Sequence, residues 1–494
     1  MSVRPTREPT VNTYESLQPR SVWSIFAELS RIPRGSGNEA AVLDMLKAWA
    51  DARGLKWSQD KVGNLLVRIP GTAGREKAAP VLVQGHVDMV CEKNGATKHD
   101  FTKDPIKLLV QDGWVTADGT TLGADNGIGV AMGLALAEEK GLSHPPVEVL
   151  LTVDEERGLT GAAGVEPGFF GARRMINLDS EEDRSLFIGC AGGRDSVITV
   201  KNKKSALGKG FVGLKVAVSG LKGGHSGLDI DKNRGNAILI LARLLLAARE
   251  TVPFKLVDLE GGSMRNAIPR EATARVAVPE AQAGAFKKLV DKAAARIVAE
   301  ELAGIDDQAT VKIAKCKVDH SLGGNCTLRV LRLLEALPNG VLAMSRAIPG
   351  LVETSSNVGV VKTKGTAVEI VCCSRSSNMS ALDGLVQRHR TIAGLLDDRA
   401  AIVQPEGYPG WQPNPASPLV QATARSYERI FGVVPELKAI HAGLECGLLT
   451  EKYPDLDIVS FGPDIHGAHS PDEKVSVASV AKVWQLFTGV MSEL

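Results

Sequence analysis

Apolar residues return along this chain with two different periods. At 21–29 and 39–52 they recur every three or four positions, the period of a helix lying on a core, and Gly54 follows where a helix stop belongs. Short, almost wholly apolar runs at 64–69, 80–84, 147–153 and 175–178 read as strands. Strands apolar on both faces belong in a sheet covered by helices. Between two of them, 127–138 is rich in Ala, Gly and Leu and reads as a buried helix. This alternation predicts an α/β domain.

Near residue 195 the texture changes. KNKKSALGKG at 201–210 is polar and basic, a hinge or surface loop. Beyond it, strand-like runs at 211–218, 271–278, 310–318 and 367–373 alternate with helical ones at 233–250, 285–302, 327–337 and 378–396. The helices at 285–302 and 378–396 each close a stretch of strands, which suggests two similar α+β units. At 404 the Pro/Gly-rich stretch QPEGYPGWQPNPASP gives the strongest linker signal in the chain. After it, a helix at 419–431, strands at 436–440 and 456–462 and a helix at 477–491 restore the α/β texture. The expected layout is a polar arm over 1–20, a first domain over 21–195, an insertion over 196–404, and the rest of the first domain over 405–494.

Composition narrows the class. At 494 residues the chain exceeds one ordinary core. Its formal charge of +1 gives no argument for a nucleic-acid partner. No segment approaches the ~20 apolar residues that span a bilayer, so no membrane role is expected. The amino-terminal residues lack an apolar stretch that could serve as a signal peptide. Seven cysteines without CxxC spacing suit reduced thiols in a cytoplasmic protein better than a disulfide framework.

The chemistry gathers where strand-like runs end, the edge at which open α/β sheets place ligands. GHVD at 85–88 sets His86 and Asp88 on one side of an extended segment, where a carboxylate can orient an imidazole. LGADNGIG at 122–129 is a Gly-rich turn with Asp125 at a helix start; the GxGxxG and P-loop spacings are absent. TVDEERG at 152–158 puts three acids in a row, which repel unless a cation or solvent compensates. NLDS at 177–180 adds Asp179, and GPDIHGAHSPDE at 462–473 adds His466 and His469. Each motif alone has an ordinary structural explanation, such as Asp125 as a helix cap. Together, clustered carboxylates with only two imidazoles suit a pair of divalent ions, with Zn, Mn or Co all feasible.

GHVDMV, TLGADNGIG, DEERGLTGA, NLDSEE and GAHSPDE, with RIPRGSGNEA at 31–40, resemble the motifs of di-zinc metallopeptidases related to aminoacylase and carboxypeptidase G. The spelling is most similar to the cytosolic aminoacyl-histidine (Xaa-His) dipeptidase branch, peptidase D type. The resemblance implies an α/β fold: a zinc-peptidase-like catalytic domain, with a mixed sheet flanked by helices, interrupted by an α+β lid domain over 196–404. It implies two divalent metal ions per chain, with His86 and Asp179 on one ion, Glu156 and His469 on the other, Asp125 bridging, Asp88 supporting His86 and Glu155 as general base; His466 does not match the ligand position and is not expected to bind metal. It further implies that His225 in GGHSG (223–227) stabilises the oxyanion. Asn266 in RNAIP (265–269) and Arg375 in SRSS (374–377) would hold the substrate carboxylate. The implied activity is hydrolysis of dipeptides such as β-Ala-His. A deacylase or desuccinylase of N-acyl amino acids would carry the same metal motifs. A serine hydrolase is disfavoured, since no GxSxG occurs. A homodimer, and action of His225 within its own chain or across to a neighbour, are both left open.

Overall fold

A computed structural model describes residues 14–323, 325–396 and 400–494. The chain divides into two compact units, Met1–Gly189 with Pro413–Ala439 and Leu444–Leu494, and Cys190–Gln412 with Ile440–Gly443. The stretch at 404–418 is no free linker: Trp411 bridges to Cys190, and Tyr408 to Gly193. Of the arm expected over 1–20, residues 1–13 lie outside the described residues. In its remainder Glu15, Ser16, Gln18 and Arg20 are exposed, Leu17 is buried and the Gln18 carbonyl accepts from Trp23 Nε1 at 3.2 Å.

The first unit is built on an eight-stranded mixed sheet. Its order is Lys56–Gln59, Leu65–Ile69, Val147–Thr152, Val81–His86, Arg174–Asn177, Asp457–Ser460, Ser185–Cys190 and Glu436–Ile440. The four strands from Val147–Thr152 to Asp457–Ser460 are mutually parallel. Every residue of Val81–His86 is buried, which fits the apolar run Val81–Val83 of a strand covered on both faces. His86 pairs with Thr152 and Gln84 with Asn177, so the segments after these strands leave from one edge.

Helix Ala124–Ala135 is buried along nearly all its length and begins earlier than its apolar pattern alone suggests. A Cβ on Gly129 would lie 2.1 Å from the Leu178 carbonyl oxygen. Only glycine lets this helix approach the strand end that carries Asp179.

A four-stranded sheet completes the unit: Ile465–His466, Lys474–Ser476, Trp114–Ala117 and Leu108–Gln111. The hairpin over 108–117 turns through Asp112 and Gly113, both at positive φ. That is a DG hairpin turn between apolar runs, a strong short-range sequence signal for such a hairpin.

The second unit carries a nine-stranded sheet. Its path is Thr310–Cys316, Phe211–Ser219, Ala272–Pro279, Lys255–Gly261, Val352–Lys364, Ala367–Ser376, Gly192–Val200 and Ala401–Val403, with Gly340–Met344 paired beside Val352–Lys364. The two expected α+β stretches are parts of this one sheet, joined where Glu260 and Gly261 pair with Lys362 and Val361. Helices Ala237–Arg249, Ala283–Ile297, Cys326–Ala336 and Met379–Leu396 belong to the same unit, and Leu241, Leu244, Phe254, Phe286, Leu331 and Ile370 lie in its buried core. The first of these helices is capped by Asn236, whose Oδ1 accepts from the amides of Ile238 and Leu239.

Candidate metal centre

His86 ends the strand Val81–His86, and Asp125 opens the turn into helix Ala124–Ala135 just after Gly123, at φ 71°. Asp125 faces two ways. Its Oδ1 lies 3.1 Å from His86 Nε2, which is itself 3.4 Å from Asp179 Oδ1. Its Oδ2 lies 3.1 Å from His469 Nε2, which is 3.0 Å from Glu156 Oε2. Each oxygen of one carboxylate thus meets a pairing of one imidazole and one further carboxylate. One ligand atom from each of His86, Asp125 and Glu156 lies within 4.8 Å of the others.

Asp88 organises the other side of His86. His86 Nδ1 is 3.2 Å from the Asp88 main-chain carbonyl and 3.4 Å from its Oδ1, so the support comes from backbone and side chain together. A proton held there on Nδ1 leaves Nε2 to face Asp125 and Asp179. The Asp88 carboxylate also accepts from Glu155 N at 3.0 Å, Glu156 N at 3.2 Å and Ser36 Oγ at 2.7 Å. Burial opposes its charge, yet the bonds to His86, Ser36 and the Glu155 amide outweigh burial and hold it at about 2. Adjacent acids Glu155 and Glu156 are fixed through their amides while their side chains remain available.

The donor set fits divalent cations. Asp88, Asp125, Glu155, Glu156 and Asp179 stand against two imidazoles, and Glu156 Oε1 is buried without a hydrogen bond. Burial, reinforced by Asp125 and Glu156 against His86, pushes Asp179 up to about 6. Burial also drives Glu155 well above the ordinary carboxylate range, with Asp179, Glu445 and Glu156 adding to it against His86. Hydrogen bonds to Asp125 and Glu156 lift His469 to about 11. These are the signs of surplus negative charge that a bound cation would balance. His466 stands apart from these contacts, its ring 4.9 Å from that of Trp114.

The remaining candidates belong to the second unit. The two-residue ladder pairing Gly224–His225 with Ala267–Ile268 sets the loops of His225 and Asn266 side by side, and Ser226 N donates to the Asn266 carbonyl at 2.8 Å. His225 Nδ1 accepts from the amides of Gly227 and Leu228, at 3.2 and 3.1 Å. The neutral ring must then carry its proton on Nε2. Burial and the Arg375 charge both depress its pKa, which favours that neutral donor. Arg375 is 5% exposed. Its Nη1 donates to Tyr408 Oη at 2.9 Å, its Nη2 lies 3.4 Å from His225 Nε2, and among the described residues no carboxylate pairs with it. A buried guanidinium beside an imidazole N–H offers donors with no anion of their own.

A model described as peptidase family M20/M25/M40 matches residues 82–493. The cytosol non-specific dipeptidase of Escherichia coli (strain K12) is 42% identical over 480 residues, 97% of this chain and 98% of that one. The chain belongs to peptidase family M20/M25/M40. Among solved structures, aminoacylhistidine dipeptidase from Vibrio alginolyticus matches this M20 chain with a TM-score of 0.91 and 39% identity, covering 98% of each. An aminopeptidase from Bacillus cereus shares the fold, with a TM-score of 0.57 and 17% identity over 97% of this chain and 99% of that one.

Beside the centre of this M20 peptidase lie residues to which sequence reasoning gave no role. Arg34, 2% exposed, donates to the carbonyls of Val87 at 2.9 Å, Asp88 at 3.2 Å and Gly123 at 2.5 Å. It lies in RIPRGSGNEA at 31–40, where the sequence alone gives it no partner. Glu445, 1% exposed, accepts from Gln84 at 2.6 Å and Thr152 at 2.7 Å, and Gln84 accepts from Asn177 at 2.7 Å. This chain ties together the strands that end at His86, at Thr152 and before Asp179. No spacing in the sequence announces it, because Glu445 arrives from a helix far along the chain.

Proposed function

We propose that this M20 peptidase is a dinuclear metal dipeptidase, and that its two ion positions share Asp125. The observation that carries the reading is the pairing of one Asp125 oxygen with His86 and Asp179 and of the other with His469 and Glu156. His86, Asp125 and Asp179 would hold one divalent ion, and Asp125, Glu156 and His469 the second. Borderline nitrogen and oxygen donors suit Zn2+, with Mn2+ or Co2+ as substitutes. When bound, such a pair supplies Lewis acidity to the scissile carbonyl and lowers the pKa of water from 15.7 toward about 7.

The chain's own groups do the rest. Glu155 would accept the proton of the attacking water and return it to the leaving amine. Asp88 would keep the His86 tautomer and hold the amides of Glu155 and Glu156. His225, a neutral Nε2 donor, would stabilise the oxyanion, and a donor in that role typically contributes about 2.7–4 kcal/mol. Arg375 and Asn266 would hold the substrate's terminal carboxylate, for which a planar guanidinium is suited.

The relatives' names support the substrate class: one is called a non-specific dipeptidase, the other an aminoacylhistidine dipeptidase. The E. coli relative's name also places it in the cytosol, and a cytoplasmic setting is proposed here. No helix among the described residues is long and apolar enough to cross a membrane. The test is a panel of β-Ala-His, α-dipeptides and N-acyl amino acids assayed with added Zn2+ or Mn2+. Turnover of dipeptides supports the reading; turnover confined to acyl amino acids would make the chain a deacylase.

A further inference from the structure

His469 is weakly held by its own surroundings. Its side chain is 53% exposed, and its backbone lies at φ 62°, a region that non-glycine residues seldom adopt. Something other than core packing must place its Nε2 at 3.0–3.1 Å from Glu156 and Asp125. Glu473, 2% exposed and at the end of the same SPDE run, reaches into the other loop. Its Oε2 accepts from Leu122 N at 2.7 Å and Gly123 N at 3.0 Å. Its Oε1 accepts from Ala124 N at 2.7 Å and Asp125 N at 3.3 Å.

Four successive amides, including that of Asp125 itself, thus end on one side chain. Arg34 holds the Gly123 carbonyl of the same turn at 2.5 Å. The His469 loop is short-circuited onto itself, with Ser470 N bonded to the Gly467 carbonyl and Glu473 N to that of Ser470. The Glu473 carbonyl accepts from Thr116 Oγ1 at 2.9 Å, anchoring the loop's far end to the neighbouring hairpin.

We propose that Glu473 is a positioning residue that registers the His469 loop against the Asp125 turn. It thereby governs the ion position made by Asp125, Glu156 and His469 more than the one made by His86 and Asp179. The inference rests on the metal-site reading above. A carboxylate can serve four N–H donors because both its oxygens accept. In Glu473→Gln, one oxygen becomes an NH2 that faces two N–H groups, although volume is nearly unchanged.

The test is calorimetric titration of the apoprotein with Zn2+ alone, with circular dichroism to confirm folding. Glu473→Gln should bind one equivalent about 10–100-fold more weakly, the usual effect of removing a group that orients a ligand, and the other nearly as wild type does. Asp472→Asn, exposed on the same loop, should bind both normally. Equal weakening of both equivalents by a folded Glu473→Gln, or none, overturns the inference. Should that variant not fold, Glu473→Asp keeps both oxygens with a shorter reach and should show the same selective loss in smaller measure. If neither folds, Glu473 serves folding alone and the inference fails. His469→Ala separates the two layers: two normal equivalents in that variant would remove the metal-site reading itself.

Discussion

Replacing Asp88 with Asn perturbs the centre without touching a proposed ligand atom. The carboxylate serves the amides of Glu155 and Glu156, the Ser36 hydroxyl and the edge of His86. In the least costly orientation the Asn oxygen keeps the Glu155 amide, and its NH2 faces Glu156 N and Ser36 Oγ. Ser36 can rotate its hydroxyl to accept, but the Glu156 N–H cannot. One charge-assisted bond is then lost and a donor is left unpaired, which together cost about 2–4 kcal/mol. Because Asp88 also orients His86, divalent-ion affinity should fall about 10–100-fold. Denaturant unfolding of the metal-free protein reads the first effect, and Zn2+ titration the second. Excess Zn2+ should restore part of the dipeptidase activity. A variant within about 0.5 kcal/mol of wild type, the range of an ordinary surface change, with unaltered Zn2+ affinity would refute the reasoning.

Glu155→Ala should keep its metal content while kcat falls about 10²–10⁴-fold, read by metal analysis alongside dipeptide turnover. Arg375→Met should cut kcat/KM for dipeptides about 10–100-fold, as loss of a charge-assisted bond implies, yet leave dipeptide amides little affected. Two buried neutral imidazoles should make the second unit acid-sensitive. Burial, with Arg388, lowers His389 to about 4, and burial, with Arg375 and His225, lowers His441 to about 3. The unfolded chain binds these protons near pH 6.5 and the folded unit does not, so stability is full above 6.5 and falls as pH drops toward 4. The loss is about 3 kcal/mol for His389, and His389→Gln should flatten that part of a pH–stability curve.

The strand ends that carry His86, Asp179 and the acids at 154–156 were legible because parallel strands buried on both faces leave long apolar runs, and charge at their ends stands out. Glu473 and Arg34 were visible only as letters in motifs, since their work is hydrogen bonding to main chain far away in sequence. The strand Val352–Lys364 escaped notice for the opposite reason. It buries a polar run in which Thr354 pairs with Ser376 at 2.8 Å, Ser355 with His441 at 2.7 Å, and Asn357 with the carbonyls of Arg265 and Ala267. Read without those partners, TSSN looks like a loop.

The shared role of Asp125 is tested most directly by anomalous diffraction from crystals soaked in Mn2+. Two peaks about 3.5–4 Å apart, one on each side of the Asp125 carboxylate, are expected of a bridged pair. A single peak, or two peaks that Asp125 does not separate, would contradict a dinuclear centre built on that residue.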